Sequence, residues 1–170
     1  MASKDRLFLK NAQIMWKNFT GSARKFNDEG DRNFAVVLQP GIVINGVEAK
    51  TMDDIAQAVQ LMQGCGWNIK TYLPANAEEG VMPIIYLPVK VSYEHWEPKV
   101  YMVCGKNKTI LNAETVSMLD DMSLTFCDIQ INPYNWSTVN GSGVKAYLAV
   151  MYANLDPNDI AARYMNLEGD

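Results

Sequence analysis

The sequence predicts a mainly β protein, a small barrel or sandwich with two or three short helical inserts. Extended segments rich in aromatic and β-branched residues recur along the chain, and turn-forming pairs such as Pro40-Gly41 and Asn140-Gly141 separate them. Helical periodicity is limited to isolated stretches and does not alternate with strands as in a βα protein. The 170 residues are enough for one domain, 1–170, with a core that needs no disulfide.

Six strands account for most of the predicted order. Each is a run of apolar, aromatic and β-branched residues bounded by turn signals. The predicted strands are Leu7–Phe19, Asn33–Leu38, Pro83–Tyr93, Lys99–Cys104, Leu124–Ile131 and Lys145–Leu155.

Three helices are predicted between and after these strands. Thr51 can cap a helix that runs from Met52 to Met62 and ends near Gly64, and its apolar residues share one face. A shorter helix begins at residue 112 or 113 and runs through Leu119. A C-terminal helix follows Pro157.

The composition argues against catalysis and against a membrane location. His95 is the single histidine, and the three cysteines are far apart, so triads and tetrahedral zinc sites lack their usual residues. No segment approaches the length of a membrane span, and no apolar leader follows Met1. We therefore expect a non-enzymatic cytosolic protein without metal or cofactor, although paired acids leave a metal-dependent nuclease as an alternative.

Charge is distributed unevenly along the chain. The overall net charge is −4, but residues 4–25 carry six basic residues and one acidic residue, whereas residues 111–170 carry two basic and eight acidic residues. Such polarity arises by chance in many soluble domains. It is also typical of a protein that has a cationic groove for phosphates on one side.

Aromatic residues interleaved with lysine and arginine predict a surface for single-stranded nucleic acid, because bases stack on flat side chains while cations contact phosphates. Alternation in the predicted hairpin of residues 83–104 would place four of these residues on one exposed face, namely Tyr86, Lys90, Lys99 and Tyr101. The full set of candidate contacts is Trp16, Lys17, Arg24, Lys25, Arg32, Trp67, Lys70, Tyr86, Lys90, Trp96, Lys99, Tyr101, Lys106 and Lys108.

Core packing is the competing interpretation for every one of these aromatic residues. Aromatic side chains on strands commonly fill cores or form cross-strand pairs, and lysines often protect the edges of sheets. Four aromatic residues are assigned to packing: Phe34, Phe126, Trp136 and Tyr147. Residues 105–108, which contain two lysines and no acid, are expected to form a flexible basic loop.

Four short motifs follow one another along the chain: Gly30-Asp31-Arg32-Asn33-Phe34, Gly66-Trp67-Asn68-Ile69-Lys70, Ile131-Asn132-Pro133-Tyr134-Asn135-Trp136 and Gly143-Val144-Lys145-Ala146-Tyr147-Leu148. In this order and spacing, they resemble bacteriophage single-stranded DNA-binding proteins of the oligonucleotide/oligosaccharide-binding (OB) fold type. The resemblance extends from about Leu7 to Tyr152. It implies an OB-like small antiparallel barrel.

The resemblance also implies sequence-tolerant binding of single-stranded DNA, which the protein would coat and protect in the bacterial host cell during phage replication or recombination. It makes Arg32 a groove residue, although an ion pair with Asp28 or Asp31 is an equal alternative. The acidic tail that recruits partners in many such proteins has only a short counterpart here, Met165–Asp170. Phage replication or recombination partners and a homo-oligomer stay open, as does the alternative of a phage structural or assembly protein built on homo-oligomeric contacts.

Overall fold

In the computed structural model, which describes residues 5–24, 27–94 and 97–157, a strongly twisted sheet forms the body of the protein. The strands within these ranges are β1 (Leu7–Asn18), β2 (Arg32–Val37), β3 (Val43–Ile44), β4 (Val47–Glu48), β5 (Lys70–Tyr72), β6 (Ile84–Val91), β7 (Lys99–Cys104), β8 (Asn107–Leu111), β9 (Leu124–Thr138) and β10 (Gly141–Leu155). They are joined by helix α1 (Met52–Gly64) and a 3₁₀ helix (Val116–Asp121).

Five of these strands close into a barrel. β1 pairs with β2, β2 with β6, β6 with β10, β10 with β9, and β9 returns to β1. All of these pairings are antiparallel except that of β6 with β10, which is parallel. A closed barrel of five strands fits the OB-like architecture that the resemblance implies.

The other strands extend this barrel at its edges. β3 pairs with β1 and β4 with β3, while β5 adds to β6. β7 pairs in parallel with the second half of β10, and β8 pairs with β7. The sheet is therefore wider than the barrel, and β7 and β8 form a separate outer face beside β10.

The buried side chains form one continuous core. Inward positions of the barrel strands are filled by aliphatic residues such as Val36, Leu87, Ile131 and Met151, each of which is at most 2% exposed. Ile55 and Met62 of α1 pack into the same core, so the predicted apolar face of that helix is confirmed.

Helix α1 begins where its sequence predicts. The Thr51 side chain accepts a hydrogen bond from the backbone N–H of Asp54, and the Asp54 carboxylate accepts one from the N–H of Thr51. This reciprocal pair satisfies donors that the first helical turn leaves free. The hydrogen bonds to the carboxylate, first from the backbone N–H of Lys50 and then from that of Thr51, lower the pKa of Asp54.

All six predicted strands are present, and two of them are longer than expected. β10 begins at Gly141 instead of Lys145. β9 continues to Thr138 through Asn132-Pro133, which the sequence indicates as a turn. Beyond Ile131, which pairs with Leu7, β9 has no further partner residue in β1 and pairs with β10 alone. Proline is tolerated on such a half-paired strand because the open edge needs no N–H donor.

The predicted pairing of the two strands in residues 83–104 is wrong. β6 and β7 do not pair with each other: β6 pairs with Ala146 and Tyr147 of β10, and β7 pairs with Val150–Asn154 of the same strand. The predicted basic loop is also wrong, because Gly105-Lys106 form a tight turn and Asn107 begins β8.

The predicted helices have different outcomes. The second helix is a 3₁₀ helix that begins at Val116, later than expected. The predicted C-terminal helix lies outside the described residues. Within the described ranges, no helix is long and apolar enough to cross a membrane.

Candidate nucleic-acid interface

The outer surface of the barrel carries a row of polar and aromatic side chains across four adjacent strands. Asn33 of β2 lies opposite Lys90 of β6, Lys90 lies beside Tyr147 of β10, and Tyr147 lies opposite Asn132 of β9. The neighbouring residues Phe34 and Val89 are buried, so alternation directs this row outward. The outward position predicted for Tyr86 and Lys90 on β6 is confirmed by the burial pattern of that strand.

Three aromatic side chains form a cluster on the same surface. The Trp16 ring contacts the Tyr72 ring at a centroid distance of 5.1 Å and the Tyr86 ring at 4.9 Å, both nearly perpendicular to the indole. Trp16 is 45% exposed and Tyr72 is 43% exposed. Lys70, which is exposed, is the register partner of Tyr86. We call Trp16, Tyr72 and Tyr86 the Trp16 cluster.

A bulge in β1 positions Trp16. The pairing register with β2 shifts between Met15 and Asn18, and Trp16 has a φ of 52°, in the left-handed region. Non-glycine residues adopt this conformation at a cost of about 1–2 kcal/mol. The strand therefore holds a large, half-exposed ring at the expense of backbone strain.

A second aromatic pair lies where β9 and β10 leave the barrel. Tyr134 and Tyr147 contact each other at 5.8 Å, and Tyr134 is 46% exposed. Lys145 is exposed and is the register partner of Tyr134. Burial raises the pKa of Tyr147, and the charges of Tyr134 and Asp31 act in the same direction. One carboxylate thus lies near this otherwise basic and aromatic surface.

Arg32 lies at the start of β2 with its guanidinium over a tyrosine ring. The distance from Arg32 Cζ to the centroid of Tyr93 is 5.0 Å. Arg32 Nη1 and Tyr93 Oη are both buried without a hydrogen-bond partner. Burial raises the pKa of Tyr93 to about 12, against the opposing charge of Arg32. Arg32 therefore contributes a half-buried positive charge at one end of the barrel.

A third aromatic group lies on the separate face of β7, β8 and β10. The rings of Tyr101 and Tyr152 stack at 4.9 Å with an angle of 12° between their planes. Lys108 Nζ lies 4.8 Å from the Tyr101 centroid and 5.6 Å from that of Tyr152. Lys99, at the start of β7, and Lys106, in the turn between β7 and β8, are also exposed. We call Tyr101, Tyr152 and Lys108 the Tyr152 patch.

Two of the predicted contact residues have structural roles instead. Trp67 is 6% exposed and packs in the core, so it lacks the open ring face that stacking requires. The Lys17 ammonium donates hydrogen bonds to the carbonyls of Leu119, at 2.8 Å, and Met122. It neutralises the carbonyl end of the 3₁₀ helix, as cations commonly do at helix C-termini.

The remaining candidates lie in the connection between β1 and β2 or outside the described ranges. Arg24 is exposed and donates through Nη2 to the carbonyl of Lys17 at 3.2 Å. Lys25 and Trp96 lie outside the described residues.

The packing assignments are correct for Phe34, which is 2% exposed, and wrong for Phe126, which is 43% exposed. Tyr147 and Trp136 are half-buried, and Tyr147 lies within the outward row. Sequence reasoning also missed Tyr72 as a surface aromatic. A signal is present in the sequence, because Trp67 and Tyr72 both flank Lys70, but the sequence alone does not show which of the two rings is buried.

Within the parts of the chain that the structure describes, no group of three or more His, Cys, Asp and Glu side chains is placed to hold a metal ion.

Comparison with known proteins identifies the family. The family model described as "Putative phage ssDNA-binding domain" matches residues 2–169. The chain belongs to this family. Among curated proteins no sequence matches.

Two solved structures are similar to this phage single-stranded DNA-binding domain in fold. One is the single-stranded DNA-binding protein from bacteriophage Enc34 in complex with single-stranded DNA, with a TM-score of 0.53, 10% identity, and coverage of 91% of this chain and 89% of that chain. The other is a C-terminal truncation of the Enc34 protein, with a TM-score of 0.50, 10% identity, and coverage of 94% of this chain and 95% of that chain. These likenesses concern the fold.

Proposed function

We propose that this protein binds single-stranded DNA with little sequence preference across the outer face of β2 and β6, and that it coats and protects single strands during phage replication or recombination. It acts by binding, without catalysis, in the cytoplasm of the bacterial host. The proposed contact surface comprises the Trp16 cluster, the Tyr134–Tyr147 pair, and the lysines Lys70, Lys90 and Lys145.

The Trp16 cluster is the observation that carries this proposal. It holds two rings that are more than 40% exposed, Trp16 on β1 and Tyr72 on β5, and the backbone of β1 is strained at Trp16. Each base stacked on an aromatic side chain contributes on the order of 1–3 kcal/mol, and every base offers a π face. Binding through such rings is therefore tolerant of sequence.

The topology supports the same surface. OB folds bind oligonucleotides on the face of their second and third strands and with the loops between strands 1 and 2 and between strands 4 and 5. In the order of this barrel, those strands are β2 and β6, and the loops are residues 19–31 and 139–140. Arg24 lies in the first of these loops. The similarly folded Enc34 protein is described in complex with single-stranded DNA.

Local charge, rather than net charge, has to attract the phosphates. The chain carries a net charge of −4, yet Lys70, Lys90 and Lys145 are exposed beside the aromatic side chains. Lys90 and Lys145 flank Tyr147 and Tyr134 in the strand register. Binding should therefore depend strongly on salt, because each neutralised phosphate releases counterions.

Titration of the full-length protein with oligo-dT at two salt concentrations tests the proposal. We expect quenching of tryptophan fluorescence, together with a slope of log affinity against log salt of about −0.7 per phosphate contacted. Oligonucleotides of different base composition should bind within about one order of magnitude of each other, because stacking is sequence-tolerant.

The proposal is contradicted if labelled oligo-dT at low salt causes no quenching of tryptophan fluorescence and shows no change in anisotropy. A large homo-oligomer that is insensitive to salt and has no affinity for DNA would instead support a phage structural or assembly protein.

A further inference from the structure

The Tyr152 patch lies outside the face of β2 and β6, on the second half of β10 and on β7 and β8, which are additional to the five-stranded barrel. Tyr101 and Tyr152 are register partners on the parallel strands β7 and β10. Their neighbours Val100, Met102 and Met151 are buried, so both rings are on the outer side of the sheet. The patch thus presents stacked aromatic surface and a positive charge in one place.

A bulge in β10 places Tyr152 on the same side of the sheet as Tyr147. Tyr147 and Tyr152 are five residues apart, and in a regular strand an odd separation would place them on opposite faces. The register with β9 shifts between Leu148 and Val150, and both Leu148 and Ala149 are buried. This extra residue reverses the alternation, so Tyr147 and Tyr152 are both outward.

The two aromatic groups are therefore aligned along β10. At about 3.3 Å per residue, Tyr152 lies roughly 15 Å from Tyr147 along the strand. Between them, Lys99 of β7 is the register partner of Val150 and is exposed. A strand of DNA that leaves Tyr147 along β10 would pass this lysine before it reaches Tyr101 and Tyr152.

We propose that the Tyr152 patch is a second binding subsite for single-stranded DNA, in which a base stacks at the Tyr101–Tyr152 pair and Lys99 and Lys108 contact phosphates. This inference rests on the proposed function and extends its DNA path beyond the barrel. The Lys108 ammonium lies within about 6 Å of both rings, which is cation–π distance. When a base takes that place, the flexible lysine stem lets the ammonium turn to the adjacent phosphate.

The surroundings of the patch fit this use. Ile110, the register partner of Tyr101, is 61% exposed, so apolar surface continues beside the rings. Asp128 of β9 is the register partner of Tyr152 and brings an acidic side chain next to the patch. Its carboxylate accepts a hydrogen bond from the backbone N–H of Asn11 at 3.1 Å.

The test compares long and short oligo-dT, because a second subsite in line with the first matters only to a strand that reaches both. The full-length protein would be titrated with labelled oligo-dT of about 16 and about 4 nucleotides, the limits of site size for an OB fold. The variants are Lys108→Gln, Tyr152→Leu and, as a matched control, Lys50→Gln, an exposed lysine before α1 and outside both aromatic groups.

We expect Tyr152→Leu to weaken binding of the long oligonucleotide at least about fivefold. Lys108→Gln should lower the magnitude of its salt slope by about 0.7. Binding of the short oligonucleotide should change by no more than about twofold, because a ligand without a second contact gains no effective concentration from the other site. Lys50→Gln should match the wild type at both lengths.

The outcomes separate this inference from the proposed function. If the wild type binds neither length, the proposed function fails. If the wild type binds both lengths, but Lys108→Gln and Tyr152→Leu bind the long one like the wild type, the second subsite alone is overturned. Lys108→Gln changes an exposed side chain, so it decides the matter even if Tyr152→Leu does not fold. A changed oligomeric state in Lys108→Gln with unchanged DNA affinity would also overturn the subsite and assign the patch to protein contacts.

Discussion

Replacement of Trp16 by leucine tests whether its ring binds DNA or only packs against neighbouring rings. Leucine keeps apolar volume at the bulge but removes the aromatic face. We expect the affinity for oligo-dT to fall between about 5-fold and 150-fold, which corresponds to the loss of one base stacked at about 1–3 kcal/mol. The measurement is the anisotropy of labelled oligo-dT at low salt.

The same variant should lose a limited amount of stability. Trp16 contacts Tyr72 at 5.1 Å and Tyr86 at 4.9 Å, and each such edge-to-face contact contributes about 0.5–1.5 kcal/mol beyond its buried area. The free energy of unfolding in urea should therefore fall by about 1–3 kcal/mol. The left-handed backbone remains strained in the leucine variant, so no stability is recovered there.

Phe8 provides a matched control on the same strand. It is 45% exposed, like Trp16, but its register partner is Gln130 of β9, away from β2 and β6. Phe8→Leu should bind oligo-dT as the wild type does, and Trp16→Phe should keep most of the affinity because it keeps a ring. The reasoning is refuted if Trp16→Leu binds like the wild type, or if Phe8→Leu weakens binding to the same extent.

Three further predictions concern stability and charge. Gly143→Ala places a Cβ 3.0 Å from the Trp136 Nε1 atom, so urea unfolding should show a loss of about 1–3 kcal/mol, and a smaller loss when Trp136 is also replaced by leucine. Lys17→Met removes hydrogen bonds to carbonyls at the end of the 3₁₀ helix; it should lower the unfolding free energy by about 1–3 kcal/mol and leave the salt slope of DNA binding unchanged. The pKa of Tyr93 is raised to about 12, above its value of 10.0 in the unfolded chain. The contribution of Tyr93 to stability is therefore complete below pH 10 and is lost as the pH rises toward 12. Between these pH values, the free energy of unfolding in urea should decline less steeply in Tyr93→Phe than in the wild type.

The sequence predicted those parts of the fold that depend on local patterns. Alternation assigned the inner and outer faces of β6 and β7 correctly, and the cap at Thr51 located the start of α1. It could not show which strand each one pairs with, because the same alternation suits a hairpin and two strands that both pair with β10. Only long-range contacts decide between these arrangements.

In the candidate site, too, the features that local patterns determine were predictable and those that depend on long-range contacts were not. Tyr86 and Lys90 were predicted to face outward from the period of one strand, and they do. The adjacency of aromatic and basic residues in sequence predicts DNA contacts for Trp67 and Lys17, but their surroundings come from distant segments. Trp67 forms a β-bridge with Val144, and Lys17 donates a hydrogen bond to the carbonyl of Leu119. Bulges add a further limit, because one extra residue in β10 reverses every face assignment beyond it.

Photochemical cross-linking of oligo-dT to the full-length protein, followed by mass spectrometry of the peptides, tests the central claim most directly. The account predicts cross-links at Trp16, Tyr72 and Tyr86 on the outer face around β2 and β6, and their loss at high salt as the complex dissociates. Cross-links confined to α1 or to the β3–β4 hairpin, with none on this face, would contradict it.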